Sequence, residues 1–154
     1  MASSNYLGKE EIQYFFQGGF AQTVDLLKEF DFKKIGIVLD GLHFSAFSLL
    51  KHMDARQEVL LQFIQQPDSV EDLWHEAHWP TNYSPKDEKE WENAIQKFQN
   101  DLQEMAELIF LKRDTLFHEQ KNGKSLFWAA MTNLQHNSYH IGQLKTIGRQ
   151  LGVW

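Results

Sequence analysis

The chain contains no cysteine. This absence excludes disulfide bonds, a thiolate nucleophile of the protein's own and zinc ligation by cysteine. A metal site would therefore have to use histidine or carboxylate side chains. A thiol taking part in any reaction would have to come from a cosubstrate.

Long apolar runs are also missing. The longest, residues 35–39, ends at Asp40 and is much shorter than the roughly 20 residues that span a bilayer. Residues 1–6 lack the charged and apolar regions of a secretory signal. These features predict a soluble, cytoplasmic protein without membrane association.

The charge balance argues against a nucleic-acid partner. The chain has 15 basic and 21 acidic residues, a net charge of −6, and its basic residues are scattered along the sequence. Binding to a phosphate backbone depends on a cluster of lysine and arginine side chains. We therefore predict no nucleic-acid binding.

Length and composition favour one folded domain. The 154 residues are 42% hydrophobic and 14% aromatic, which is typical of a globular protein and unlike a disordered one. Two domains of half this length would each have a marginal core. We predict a single domain over residues 1–154.

Four segments repeat apolar residues at helical spacing, which predicts an all-α protein. Gly18-Gly19 falls in the middle of the first segment and predicts a kink or a close backbone contact there. Residues 31–41 contain β-forming side chains but have no second strand to pair with, so we expect a connection packed on the core. Residues 67–83 are expected to wrap over one end of the helices. The four helical segments are residues 9–30, 44–66, 84–109 and 125–151.

Helix-end signals are clearest in the last two segments. Ser84 can serve as the N-cap of the third helix, with Pro85 in the first helical position and Asp87 complementing the helix dipole. The fourth helix is predicted to begin near Ser125, and Gly152 is its expected C-terminal cap.

Two of the seven histidines form the main chemical signal. His136 and His140 are four residues apart in the fourth segment, so their side chains share one helix face. Both lie within or beside the apolar stripe, and this spacing can bring two imidazoles to one ion. His52, at the border of the second segment's apolar face, is the candidate third ligand. Core-edge histidines bonded to carbonyls or carboxylates would explain the pair equally well.

Three further residues are candidates for a catalytic role. Arg56 lies one turn beyond His52 and could hold an anionic group of a cosubstrate. Tyr139 and Gln143 lie on the flank next to His136, where they could line the mouth of the site, and Tyr139 could donate a hydrogen bond.

The remaining conspicuous residues have less specific interpretations. His75 and His78 are expected to be solvated or to support the site indirectly, because H-E-x-H is not the zinc-protease motif. His43 is expected to pack near a helix end and His118 to lie on the surface. Gly142 faces away from the ligands, which predicts close packing of a second helix or subunit. The five tryptophans are expected to lie mostly in the core.

Two stretches resemble the DinB/YfiT-like superfamily. Residues 130–154 resemble its closing helix, and residues 43–53 resemble its second helix, which carries the first metal-binding histidine. Trp79-Pro80 resembles the aromatic-proline pair of one branch. The hallmark of the closing helix is His-x-x-x-His followed by x-Gly-Gln, represented here by His136, His140, Gly142 and Gln143.

The resemblance implies a four-helix bundle with one divalent metal ion, commonly nickel or zinc, on His52, His136 and His140. It also implies a homodimer. Characterised members include S-transferases that use bacillithiol or similar low-molecular-weight thiols, and a mycothiol-dependent maleylpyruvate isomerase. Many relatives carry an acidic residue just before the first histidine of the final pair, whereas this chain has Gln135. A role that depends on that carboxylate is therefore not expected for this chain.

The leading functional hypothesis is a metal-dependent transferase that uses an external thiol on a small electrophile. A metal-dependent hydrolase of a small substrate is the first alternative. A non-catalytic bundle that binds a ligand or a protein partner is the second. A fourth protein ligand, such as Glu58 or His75, would favour the last of these, because three protein ligands and an open position are typical of catalytic sites.

Overall fold

A computed structural model describes residues 8–17, 23–70 and 79–154. Within these ranges the only β pairing is an isolated bridge between Glu119 and Ser125, and there is no strand. Two short 3₁₀ turns follow the third and fourth helices. The predicted all-α class is confirmed. The α-helices are α1 (Lys9–Gln17), α2 (Thr23–Lys28), α3 (Ala46–Gln65), α4 (Glu88–Leu111) and α5 (Leu126–Gln150).

Two helices, α1 and α2, lie in the range predicted as one long first helix. Residues 18–22 between them, which include the Gly18-Gly19 pair, lie outside the described residues. The predicted apolar stripe is buried on both sides of this gap, at Ile12 and Phe16 in α1 and at Leu27 in α2. The described part of the stripe therefore faces the core as its spacing predicted.

The N-cap of α4 differs from the prediction. Asp87, and not Ser84, has extended backbone angles and accepts a hydrogen bond from the Glu90 amide at 2.8 Å. Ser84 instead lies against Gly36, so closely that a Cβ atom at residue 36 would come within 1.9 Å of the Ser84 hydroxyl oxygen. This tertiary contact holds Ser84 in the preceding loop, and the carboxylate of Asp87 caps the helix.

The other two long helices begin at serine caps. Ser45 and Ser48 form a reciprocal capping box at the start of α3, which satisfies amides that the first turn leaves free. Ser125 caps α5 by accepting from the Trp128 amide at 3.1 Å, as predicted. These caps fix where the two histidine-bearing helices begin.

Helix α3 lies at the centre of the packing, in contact with both α4 and α5, and α1 packs on α4. Residues 31–41 form turns, and Ile35 inserts into the core as predicted for a connection. The buried apolar side chains of all five helices form one continuous cluster. Its largest fully buried members include Leu49, Leu60, Phe63, Phe98, Met105 and Leu144.

The C-terminal end of α5 closes on the segment after α2. Gly152 has a positive φ of 64° and its amide bonds to the Arg149 carbonyl, while the Val153 amide bonds to the Gly148 carbonyl. This is the predicted glycine cap in its Schellman form. The Trp154 ring packs edge-on against Phe30. Among the described helices, none is long and apolar enough to cross a membrane.

Candidate metal centre

Three histidines from two helices meet at one point. His52 comes from α3, and His136 and His140 come from successive turns of α5. The Nε2 atom of His136 lies 3.1 Å from that of His52 and 3.1 Å from that of His140. One ligand atom from each ring lies within 4.8 Å of the other two. The site joins residues 84 positions apart in the chain.

The donor set fits a divalent cation. Two Nε2 atoms bound to one tetrahedral zinc ion at about 2.05 Å would lie about 3.3 Å apart, close to the observed 3.1 Å. A neutral imidazole carries a proton on only one of its two ring nitrogens. Wherever two Nε2 atoms of the cluster face each other, at least one of them therefore presents a lone pair to the other nitrogen. A cation at this point would satisfy all three lone pairs. The cluster could therefore hold a metal ion.

Gln143 fixes the orientation of one ring. The Nδ1–H group of His140 donates to Gln143 Oε1 at 2.6 Å, which leaves the His140 lone pair on Nε2, facing the cluster. Gln143 Nε2 in turn donates to the Tyr139 hydroxyl oxygen at 3.4 Å. The Tyr139 side chain is exposed, so its O–H group can turn outward to a bound molecule. Both predicted mouth residues thus lie beside His140.

Trp79 forms one wall of the site. Its indole stacks on the His52 ring with a centroid distance of 3.9 Å and an interplanar angle of 5°, and Phe44 also stacks on it. The loop that carries Trp79 is anchored where Ser45 Oγ donates to the Tyr83 carbonyl. The expectation that the tryptophans lie mostly in the core is wrong for the four that the structure describes. Trp79 and Trp154 are 43% and 40% exposed, and only Trp91 is buried.

Burial favours the neutral form of two of the histidines. Together with the nearby His140, His52 and Arg56, it lowers the pKa of His136 to about 3. Burial also lowers the pKa of His140, and the hydrogen bond that this ring donates to Gln143 partly offsets the effect. Neutral imidazoles are the form that binds metal. Arg56 is itself buried, so it acts on the cluster from within the protein and not as an exposed side chain.

The other described candidate residues are not part of the histidine group. Glu58, proposed as a fourth ligand, is exposed and pairs with Lys97 at 3.4 Å. The three-histidine group includes no carboxylate among the described residues. His43 and His118 are both exposed, as expected for His118. His75 and His78 lie outside the described residues.

The structure also bears on the expectations for Gly142 and Gln135. No atom of the described chain outside α5 lies within 4 Å of a Cβ atom built on Gly142, so no described helix supplies the expected close packing, and packing of a second subunit there stays a prediction. Gly142 instead borders a cavity of about 640 Å³ between α1, α4 and α5. Gln135 is exposed and takes no part in the histidine group.

A buried amide network beside the site was missed in the sequence. Gln57 Nε2 donates to the Phe98 carbonyl at 2.9 Å, and its Oε1 accepts from Asn133 at 3.2 Å and from Asn137 at 3.0 Å. All three amide side chains are buried. The detectable signal was the two asparagines, four residues apart on the apolar stripe of α5, where polar side chains need buried partners.

Comparisons of the chain with family models, with curated proteins and with solved structures found no significant match.

Proposed function

We propose that this protein is a metal-dependent enzyme of the DinB/YfiT-like kind, a four-helix bundle that transfers an external thiol to a small electrophile. Three imidazole Nε2 atoms converge on one point with no fourth protein ligand among the described residues, and this observation carries the proposal. The closing-helix motif and the order of the helices also support it. The homodimer and the cytoplasmic location stay predictions from the sequence.

His52, His136 and His140 would hold the ion, with nickel and zinc as the leading candidates. Three neutral imidazoles leave at least one position open, as catalytic sites do. A divalent cation held there would act as a Lewis acid and would lower the pKa of a bound thiol or water molecule to near neutrality.

The surrounding side chains would bind and orient the reactants. Gln143 holds His140 in the tautomer that presents Nε2. The Tyr139 hydroxyl, which accepts from Gln143, keeps its own proton free to donate to the acceptor molecule. Trp79 covers one side of the His52 ring and limits the approach of water there. The positive charge of Arg56 lies near His136 and would favour an anionic cosubstrate.

The composition of the histidine group supports a thiol over water as the nucleophile. Hydrolysis by an activated water often uses a carboxylate as general base, and the described histidine group contains none. A thiol needs less assistance, because it is far more acidic than water. In the transfer, the thiol sulfur bonds to an electrophilic carbon, the thiol proton passes to solvent, and the leaving group departs with the bonding electron pair.

Metal analysis tests the site before any assay of activity. Protein purified without a histidine tag should contain about one divalent ion per chain, and His136→Ala should lose it. His118→Ala is the matched control, since it removes an exposed histidine away from the cluster. Equal metal content in wild type and His136→Ala would refute the assignment of this residue.

Activity is tested with bacillithiol, mycothiol and glutathione, each with a small electrophile such as an alkyl halide or an epoxide. We expect metal-dependent consumption of at least one thiol, lost in His136→Ala and kept in His118→Ala. Metal-dependent hydrolysis of esters or amides without any thiol would refute the transferase and indicate a hydrolase. Stoichiometric metal without either reaction would indicate a non-catalytic site.

A further inference from the structure

The backbone carbonyl of Phe98 determines which groups donate and which accept in the buried amide network. The Phe98 carbonyl can only accept, so Gln57 must turn its amide nitrogen toward it. Gln57 Oε1 then accepts, and Asn133 and Asn137 must both present their Nδ2 groups to it. The Oδ1 atoms of the two asparagines therefore face away from Gln57.

These two oxygen atoms have no hydrogen-bond partner among the described residues, and the same holds for His136 Nδ1. All three atoms are buried. A buried polar atom without a partner costs about 1–3 kcal/mol, so such a group needs a structural or functional explanation. Two of the three, Asn137 Oδ1 and His136 Nδ1, belong to adjacent residues of α5.

The chemistry of the histidine cluster supplies that explanation. When an imidazole presents its Nε2 lone pair to a cation, its proton resides on Nδ1, and that N–H group needs an acceptor. His140 has this acceptor in Gln143. For His136 the candidate acceptor is the Oδ1 atom of the next residue, Asn137, which is buried and has no other partner among the described residues.

We propose that Asn137 is a positioning residue whose Oδ1 accepts the Nδ1–H group of His136 when a divalent cation binds at the three histidines. The acceptor is held in place by a relay from the Phe98 carbonyl through Gln57 to Asn137. This inference rests on the proposed function and adds α4 to the elements that support the site.

Asn133 is a matched control for Asn137. Both side chains are buried, and both donate to Gln57 Oε1. Replacing either asparagine leaves the hydrogen bond from the other one to Gln57 in place. Leucine has nearly the shape of asparagine without its polar atoms. The variants Asn137→Leu and Asn133→Leu should therefore lower the urea midpoint of the metal-free protein by similar amounts. Only the first removes the acceptor for His136.

Metal affinity is measured for both variants by titration with Ni²⁺ and Zn²⁺ against a competing chelator. We expect Asn137→Leu to bind about ten- to a hundredfold more weakly than Asn133→Leu, the usual effect of losing a hydrogen bond behind a metal ligand. Equal affinities in the two variants would overturn the inference while leaving the metal site in place. No binding by the wild type would overturn the proposed function, and this inference with it.

A second pair of variants covers the case in which the leucine variants fail to fold. Asn137→Asp keeps an acceptor for His136 but cannot donate to Gln57, and Asn133→Asp makes the same change away from the ring. We expect Asn137→Asp to bind Ni²⁺ and Zn²⁺ more tightly than Asn133→Asp, and at least tenfold more tightly than Asn137→Leu. Equal binding by the two aspartate variants would contradict the relay.

Discussion

Replacing Gln143 should weaken metal binding without disturbing the three ligands. Gln143→Met keeps the length of the side chain and removes the oxygen that accepts from His140 Nδ1–H at 2.6 Å. His140 is only 5% exposed, so its N–H group would lose its partner in a largely buried place. When Nε2 of His140 binds a metal ion, Nδ1 must keep its proton. Loss of the acceptor therefore destabilises the metal-bound form and weakens metal binding.

The size of the effect can be worked out in two ways. An unsatisfied buried donor costs about 1–3 kcal/mol, which corresponds to roughly 5- to 150-fold in affinity at 1.4 kcal/mol per factor of ten. Supporting hydrogen bonds at metal sites are worth about 10–100-fold. Gln143 is itself only partly buried, so water can replace some of the lost interaction. We therefore expect about a tenfold loss.

The assay is competition for Ni²⁺ or Zn²⁺ against a chelator dye at fixed pH. Gln143→Glu, which retains an acceptor oxygen, should bind at least as tightly as the wild type. Gln135→Met is the control, because it changes an exposed glutamine on the same helix and should have no effect. Binding by Gln143→Met within twofold of the wild type, with binding lost in His140→Ala, would refute the role given to this hydrogen bond.

Three other predictions concern pH, fluorescence and stability. Burial lowers the pKa of His136 in the metal-free folded protein to about 3, compared with 6.5 in the unfolded chain. The unfolded chain therefore binds the proton first as pH falls, and the free energy of unfolding should decrease between these two pH values. The decrease should be less than about 1.4 kcal/mol per pH unit. Ni²⁺ should quench the fluorescence of Trp79, which stacks on a ligand ring. Gly142→Ala should stabilise α5 by up to about 1 kcal/mol. Gly148→Ala should destabilise the folded protein, because a Cβ atom there would lie 2.4 Å from the Trp154 ring.

Each of these has its own control. His136→Gln should remove part of the acid-dependent loss in urea unfolding of the metal-free protein, and an unchanged slope would contradict the assignment. Trp79→Phe should abolish most of the quenching, so quenching that persists would place the ion elsewhere. Thermal unfolding of the two glycine variants gives their order, and a destabilised Gly142→Ala would indicate that a second subunit packs on that residue.

Local rules account for much of what the sequence predicted. The periodicity of apolar residues placed the helices, and the spacing of His136 and His140 placed their rings on one face, because both depend only on helix geometry. The Ser125 cap and the Gly152 cap are likewise decided within a few residues of the helix ends. In these cases the interacting groups are close in the chain, so their sequence spacing fixes their distance in space.

Other features depended on contacts between distant segments. The α4 cap lies at Asp87 because Ser84 packs on Gly36, which no local signal around residue 84 reveals. Trp79 lies on His52, and not in the core, because its loop is tied to the start of α3. Local propensity is a weak predictor where such tertiary contacts compete with it.

The sequence by itself determined an all-helical chain without cysteine, with two histidines on one face of its last helix. Only the tertiary structure decided that His52 lies 3.1 Å from His136, and that Gln57 joins Asn133 and Asn137 beside them. Helix periodicity fixes which way a side chain points from its own axis. The distance between atoms on two helices depends on how their side chains pack together, which is set by the whole core.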